Sequence, residues 1–145
     1  MEFTIQRKYL LGLGNWLMQL SLQGQDSRNR TKFVEQLSEE VKEQEETRLE
    51  IIKKYATIDE TTGEPVLVKK EGQADHYDIN DANMPAFEKE ISDYLNKEYI
   101  CGGPGLKTRL LAIKDIVLNT TEKIDGRTAT DYDAWCNAFE NMKEE

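Results

Sequence analysis

The stretch DSRNRTKFVEQLSEEVKEQEETRLEIIKKYA, residues 26–56, decides the fold. Phe33, Val34, Leu37, Val41, Leu49, Ile52, Tyr55 and Ala56 recur three or four positions apart, so on a helix they form one apolar stripe. Asp26 or Ser27 can cap the start, because either side chain accepts from the open amides of a first turn. About thirty residues at ~1.5 Å each make a rod of roughly 45 Å, against which the other elements can lean. Gln44, Glu45 and Arg48 interrupt the stripe, as expected where the middle of a rod projects beyond the core.

The same stretch has a basic start, Arg28, Arg30 and Lys32, and an acidic middle, Glu35, Glu39, Glu40, Glu43, Glu45, Glu46 and Glu50. Positive charge at a helix start opposes the macrodipole. The arginines therefore need partners, either acidic groups of the same chain or a second molecule. The glutamates read as a solvated face.

On the N-terminal side, Phe3 and Ile5 alternate with Glu2, Thr4 and Gln6, which predicts a strand with one buried face over 2–6. Tyr9, Leu10, Leu13, Trp16, Leu17 and Leu20 predict a helix over 8–22. Gly12 and Gly14 weaken it by about 1 kcal/mol each and mark close approach of another backbone, the long helix being the candidate. Gly24 suits the end of that helix. So short a connection makes the two helices antiparallel neighbours.

On the C-terminal side, Gly63 and Pro65 open a turn. Segments 65–70 and 75–79 read as a hairpin, with the strand at 2–6 available to complete its sheet. Asn80, Asp81 and Asn83 are capping candidates for a helix with Pro85 in its first turn and Phe87, Ile91, Tyr94 and Leu95 on its apolar face. Tyr99, Ile100 and Cys101 form a short extended piece before the breaker at 102–105. Leu106, Leu110, Ile113 and Val117 predict a fourth helix. Thr128 to Asp131 resembles a capping box with Asp in place of Glu, leading into a last helix striped by Tyr132, Trp135, Cys136, Phe139 and Met142. The expected fold is α+β, mainly α: a long central helix, three or four packed helices and a small antiparallel sheet, in one domain over 1–145.

The net charge is −9, with 32% charged and 38% hydrophobic residues. That balance opposes a sequence-independent grip on nucleic acid, which needs clustered cations. No signal peptide starts the chain, and no apolar run approaches the ~18 residues that span a bilayer. A soluble, intracellular protein follows as the expectation. Cys101 and Cys136 read as thiols packed as small apolar groups, a disulfide between them remaining the alternative.

No cluster carries a recognisable chemistry. His76 lies in Asp75-His76-Tyr77-Asp78, where adjacent strand residues face opposite sides, so it reads as exposed rather than as a general base. One histidine and two distant cysteines make no zinc set. Asp59 to Glu64 lacks the ligand and glycine positions of a calcium loop. Gly12-Leu-Gly14 lacks the third glycine of a dinucleotide site. Gly102 to Gly105 lacks the lysine and hydroxyl of a phosphate loop, although its amides could hold an anion at a helix start. A Cys101/His76 pair rests on residue types alone. No catalytic residue, cofactor or metal is expected.

The strings Phe3-Thr-Ile, Leu20-Ser-Leu-Gln-Gly24, Ser27-Arg-Asn-Arg30-Thr-Lys-Phe, Ile51-Ile-Lys-Lys-Tyr-Ala56 and Tyr132-Asp-Ala-Trp-Cys-Asn-Ala-Phe139, in this order, resemble a family of small proteins of unknown function. Tailed phages and prophages of Gram-positive bacteria encode that family. The resemblance is strongest over 20–56 and 130–140 and brings no catalytic motif. It implies a viral gene product in the host bacterial cytoplasm or associated with the virion.

The sequence therefore leads to a non-enzymatic phage protein that binds a phage or host protein, such as a virion or tail-assembly component. The expected contacts are Arg28, Arg30 and Lys32 with Glu39, Glu43 and Glu46. An acidic inhibitor of a host defence or nucleic-acid-handling protein is the alternative, since a carboxylate array can imitate DNA phosphates. An enzyme is the third class. An uncovered apolar stripe on the long helix would favour a homodimer through it.

Overall fold

The computed structural model describes residues 1–143. The fold is α+β and mainly α, and its chain divides into two compact units. One comprises residues 1–41 together with 96 onward, the other Lys42–Leu95.

The long helix forms as its periodicity demands. Helix α2 runs Gly24–Tyr55, 32 residues. It begins at Gly24, two residues ahead of the expected cap, so Asp26 lies in the first turn. Gly24 opens this helix rather than closing the preceding one. Helix α1 is shorter than expected, Leu10–Gln19, preceded by a 3-10 turn at Arg7–Tyr9 and ended by extended backbone at Leu20.

In the first unit, strand β1, Glu2–Gln6, follows its alternation: Phe3 and Ile5 are buried, Glu2 is exposed, and Thr4 and Gln6 are half-buried. Its partner differs from the expectation. β1 pairs antiparallel with strand β4, Glu98–Gly102, and not with the hairpin. Burial gives the reason. The register sets Phe3 opposite Cys101 and Ile5 opposite Tyr99, so both strands turn an apolar face to the same core. Gly102 closes the ladder because a Cβ there would lie 2.9 Å from the Met1 carbonyl oxygen.

Helices α4, Lys107–Leu118, and α5, Ala129–Glu140, complete this unit. Phe3 stacks on Phe139 with centroids 4.5 Å apart and meets Phe33 edge-on at 6.0 Å. Leu10, Leu13, Leu17, Leu37, Leu110, Ile113, Val117 and Trp135 surround that cluster. Trp135 satisfies its indole by donating Nε1 to the Tyr9 carbonyl at 3.1 Å, as a buried Trp must. The expected capping box at Thr128 does not form. Asp125 accepts from the amides of Arg127 and Thr128 instead, at 3.0 Å each.

The second unit gathers the C-terminal part of α2 with strands β2, Leu67–Val68, and β3, His76–Tyr77, and helix α3, Met84–Leu95. The hairpin is present but forms a sheet of its own. Three backbone bonds close a ring beside it: Thr57 N–H to Asp78, Asp78 N–H to Val66, and Val66 N–H to Thr57. Asn83 joins the elements at the end of α2. Its side chain donates to the Tyr55 carbonyl at 3.2 Å, while its own amide donates to Asn80 Oδ1 at 2.9 Å. Ile51 and Ile52 are buried, and Tyr55 meets Phe87 edge-on at 6.1 Å. Gln44, expected in a projecting polar break, is itself buried.

Candidate functional site

The six charged residues expected to meet a partner all lie on α2, but they do not form one set. At about 100° per residue, Arg28, Lys32 and Glu39 of the first unit fall within a sector of roughly 40°, and Glu43 and Glu46 of the second lie roughly 60° apart. All of them are exposed. Arg30 points elsewhere and is only partly exposed. Its Nη1 donates to the carbonyls of Leu17, at 3.1 Å, and Leu20, and its Nη2 donates to Ser27 Oγ at 3.4 Å. These carbonyls belong to the open end of α1, which a guanidinium can satisfy through several donors at once. Arg30 is therefore occupied within the fold, by carbonyls rather than by the acidic groups one alternative supposed.

Glu40 also leaves the exposed face, pairing with Arg7, whose guanidinium carbon stands 5.9 Å from the Tyr99 ring centroid. Glu45 pairs with Arg48 at 3.2 Å on the surface. Arg28, Lys32, Glu39, Glu43 and Glu46 form no ion pair among the described residues.

Both cysteines are free thiols. Burial pushes Cys101 up, against the pull of hydrogen bonds with Tyr99 and Gln36 and of the Arg109 charge. Gln36 Nε2 donates to its Sγ at 3.1 Å. Burial likewise raises Cys136, and Tyr132 is pushed up to about 12 while its hydroxyl donates to the Val117 carbonyl at 2.8 Å. Thiols held protonated are poor nucleophiles. His76 is exposed on β3, with Nδ1 3.3 Å from the Ala74 carbonyl oxygen. It lies in the second unit and Cys101 in the first. The Gly102–Gly105 breaker leads into α4 through a 3-10 turn at Pro104–Leu106. Among the described residues, no group of three or more His, Cys, Asp or Glu is placed to hold a metal ion. No helix among them is long and apolar enough to cross a membrane.

Two concave surfaces were not anticipated from the sequence. A groove of about 370 Å³ lies between α1 and the first part of α2, lined by Leu11, Gly14, Met18, Val34, Ser38 and Val41 among others. Leu11 and Met18 are 56% and 52% exposed, an apolar pair that a lone chain leaves open. Their signal was legible: they stand seven apart and off the buried stripe of Leu10, Leu13 and Leu17. The second is a cleft of about 620 Å³ beside β1, lined by Thr4, Gln6, Glu98, Ile100, Asn137 and Asn141 among others. It depends on the β1–β4 pairing, which local periodicity does not contain.

No protein-family model, curated protein or solved structure matches the chain.

Proposed function

We propose that this chain is a non-enzymatic phage protein that acts by binding another protein in the host bacterial cytoplasm, as an accessory of virion or tail assembly. The observation that carries this reading is the exposed charge along α2: Arg28, Lys32 and Glu39 in the first unit and Glu43 and Glu46 in the second stand exposed with no ion-pair partner among the described residues. Charged side chains so placed favour a partner of complementary pattern and set encounter rate and register. The protonated thiols and the exposed His76 support the non-enzymatic part. Chemical crosslinking and affinity capture from phage-producing bacteria should recover one specific phage or host protein. Recovery of none across crosslinking conditions counts against the reading.

The spacing of Glu39, Glu43 and Glu46 favours a second reading, an acidic inhibitor of a host defence or nucleic-acid-handling protein. On a helix these carboxylates step by about 6 and 4.5 Å. Binding through such an array weakens steeply with salt. Salt-insensitive binding removes this reading and leaves the first. Self-association is a corollary of the open groove between α1 and α2, where Val34 and Val41 lie beside Leu11 and Met18. Sedimentation equilibrium that stays monomeric at high concentration removes the corollary alone.

A further inference from the structure

Two features of the first unit are symmetric about the same point. On α2 the exposed charges run basic, basic, acidic, acidic: Arg28, Lys32, Glu35 and Glu39. Arg28 with Glu39, and Lys32 with Glu35, are each centred between residues 33 and 34. On α1 the exposed Leu11 and Met18 are centred between Gly14 and Asn15. The fold sets these two centres side by side. A Cβ on Gly14 would lie 3.9 Å from Val34 Cγ1, and one turn on, Arg30 reaches the Leu17 carbonyl at 3.1 Å. The helices therefore run antiparallel, with the centres level to within one residue rise, ~1.5 Å.

The charges and the apolar pair border one groove. Around α2, at about 100° per residue, the buried Phe33 and Leu37 are followed by Val34, Ser38 and Val41 of the groove and then by the charged stripe. Leu11, Asn15 and Met18 line the α1 side. None of the four charges has an ion-pair partner among the described residues, and the Asn15 side chain has no hydrogen bond there. A lone helix carries this pattern at a cost. Arg28 with Lys32, and Glu35 with Glu39, are like charges at i, i+4, which repel, and the basic pair opposes the macrodipole. A reversed copy laid across α2 relieves both, because each basic pair then meets an acidic one.

We propose that a second copy of this chain covers the α1–α2 face, turned about a two-fold axis that crosses both helices at the level of Asn15 and Val34. Each helix then lies antiparallel on its own copy, and the contact is isologous. Leu11 meets Met18 of the other copy, while Arg28 and Lys32 meet its Glu39 and Glu35. The two Asn15 carboxamides face each other, and each can donate to and accept from the other. A parallel arrangement would set every charge against its own kind. Two helices over about 17 Å cover on the order of 500 Å² per copy, the size of a weak, reversible contact. This pairing rests on the self-association drawn above from the open groove and gives it a register. Being weak, it yields Arg28, Lys32 and Glu39 to a tighter partner.

Sedimentation equilibrium up to about 1 mM, within reach of a contact of that size, reads the association. The wild-type chain should dimerise. Met18→Glu should weaken dimerisation by about tenfold or more, since it places a charge in the apolar centre. Arg28→Glu and Glu39→Arg should each weaken it by about the same factor, and the chain carrying both should recover to within about threefold of wild type, because the exchanged charges meet again. All three positions are exposed, and an unchanged helical spectrum shows that the fold is kept. A wild-type chain that stays monomeric overturns the proposal. A dimer indifferent to Met18→Glu, or one that the double exchange does not restore, overturns this register and leaves self-association standing. Capture of another protein should persist in the Met18→Glu chain, so the binding reading and the dimer fail separately.

Discussion

The Nη1 of Arg30 lies 3.1 Å from the Leu17 carbonyl oxygen, so the long helix carries the cap for the end of the helix before it. Arg30→Ala leaves the carbonyls of Leu17 and Leu20 without this donor. A loss of about 1.5–3 kcal/mol is expected, the range for bonds to a charged group. Arg28→Ala and Lys32→Ala should each change stability by less than about 0.5 kcal/mol, as exposed positions do. Urea unfolding of the three variants checks the contrast.

Gly14 and Gly12 should respond differently to alanine. A Cβ on Gly14 would sit 3.9 Å from Val34 Cγ1, an ordinary contact, whereas one on Gly12 would sit 3.3 Å from Trp135 Cζ2. Gly14→Ala should stabilise by about 0.5–1 kcal/mol through helix propensity. Gly12→Ala should gain less or lose, because Trp135 is buried and bonded to Tyr9 and has little room to yield. Thermal midpoints of the pair decide it.

Stability should fall on the alkaline side. Cys101 and Cys136 have folded pKa values raised above the ordinary ~8.5 of a thiol, and Tyr132 stands at about 12, above the ordinary ~10. Each group then binds its proton more tightly folded than unfolded. Its contribution is fully present below the unfolded value and is lost as pH rises through the folded one. Urea midpoints should hold steady from about pH 7 to 8 and decline from about pH 9 upward. Native-state alkylation at pH 8 should be slow at Cys101, and rapid modification there would contradict the buried, protonated thiol.

Phe139 stacks on Phe3 and also faces Phe33 with centroids 6.2 Å apart. Phe139→Ala should cost about 3–5 kcal/mol through lost burial and the cavity left behind. The near-ultraviolet circular dichroism of the aromatic cluster should collapse well before the helical signal does.

How much of this was legible in the sequence follows from the range of each interaction. α2 was readable because its stripe repeats within the helix itself, and β1 because Phe3 and Ile5 alternate locally. The partner of β1 was not, since the register with Tyr99 and Cys101 joins residues far apart in sequence and both β4 and the hairpin offered β-prone segments. Arg30 carried a sign but no address: positive charge at a helix start called for a partner, and only the fold shows carbonyls rather than carboxylates. Thr128 had the spacing of a cap, yet its side chain makes no cap bond, and Asp125 instead holds the amides of Arg127 and Thr128 just ahead of the helix. The cleft beside β1 could not be seen at all before the strand order was known.

The most direct measurement places a photo-crosslinking residue at Lys32 in the protein produced within phage-bearing cells. The account predicts one specific protein adduct, lost when Glu39, Glu43 and Glu46 are all reversed to lysine while the helical spectrum is unchanged. No adduct, or an adduct indifferent to those three reversals, would contradict it.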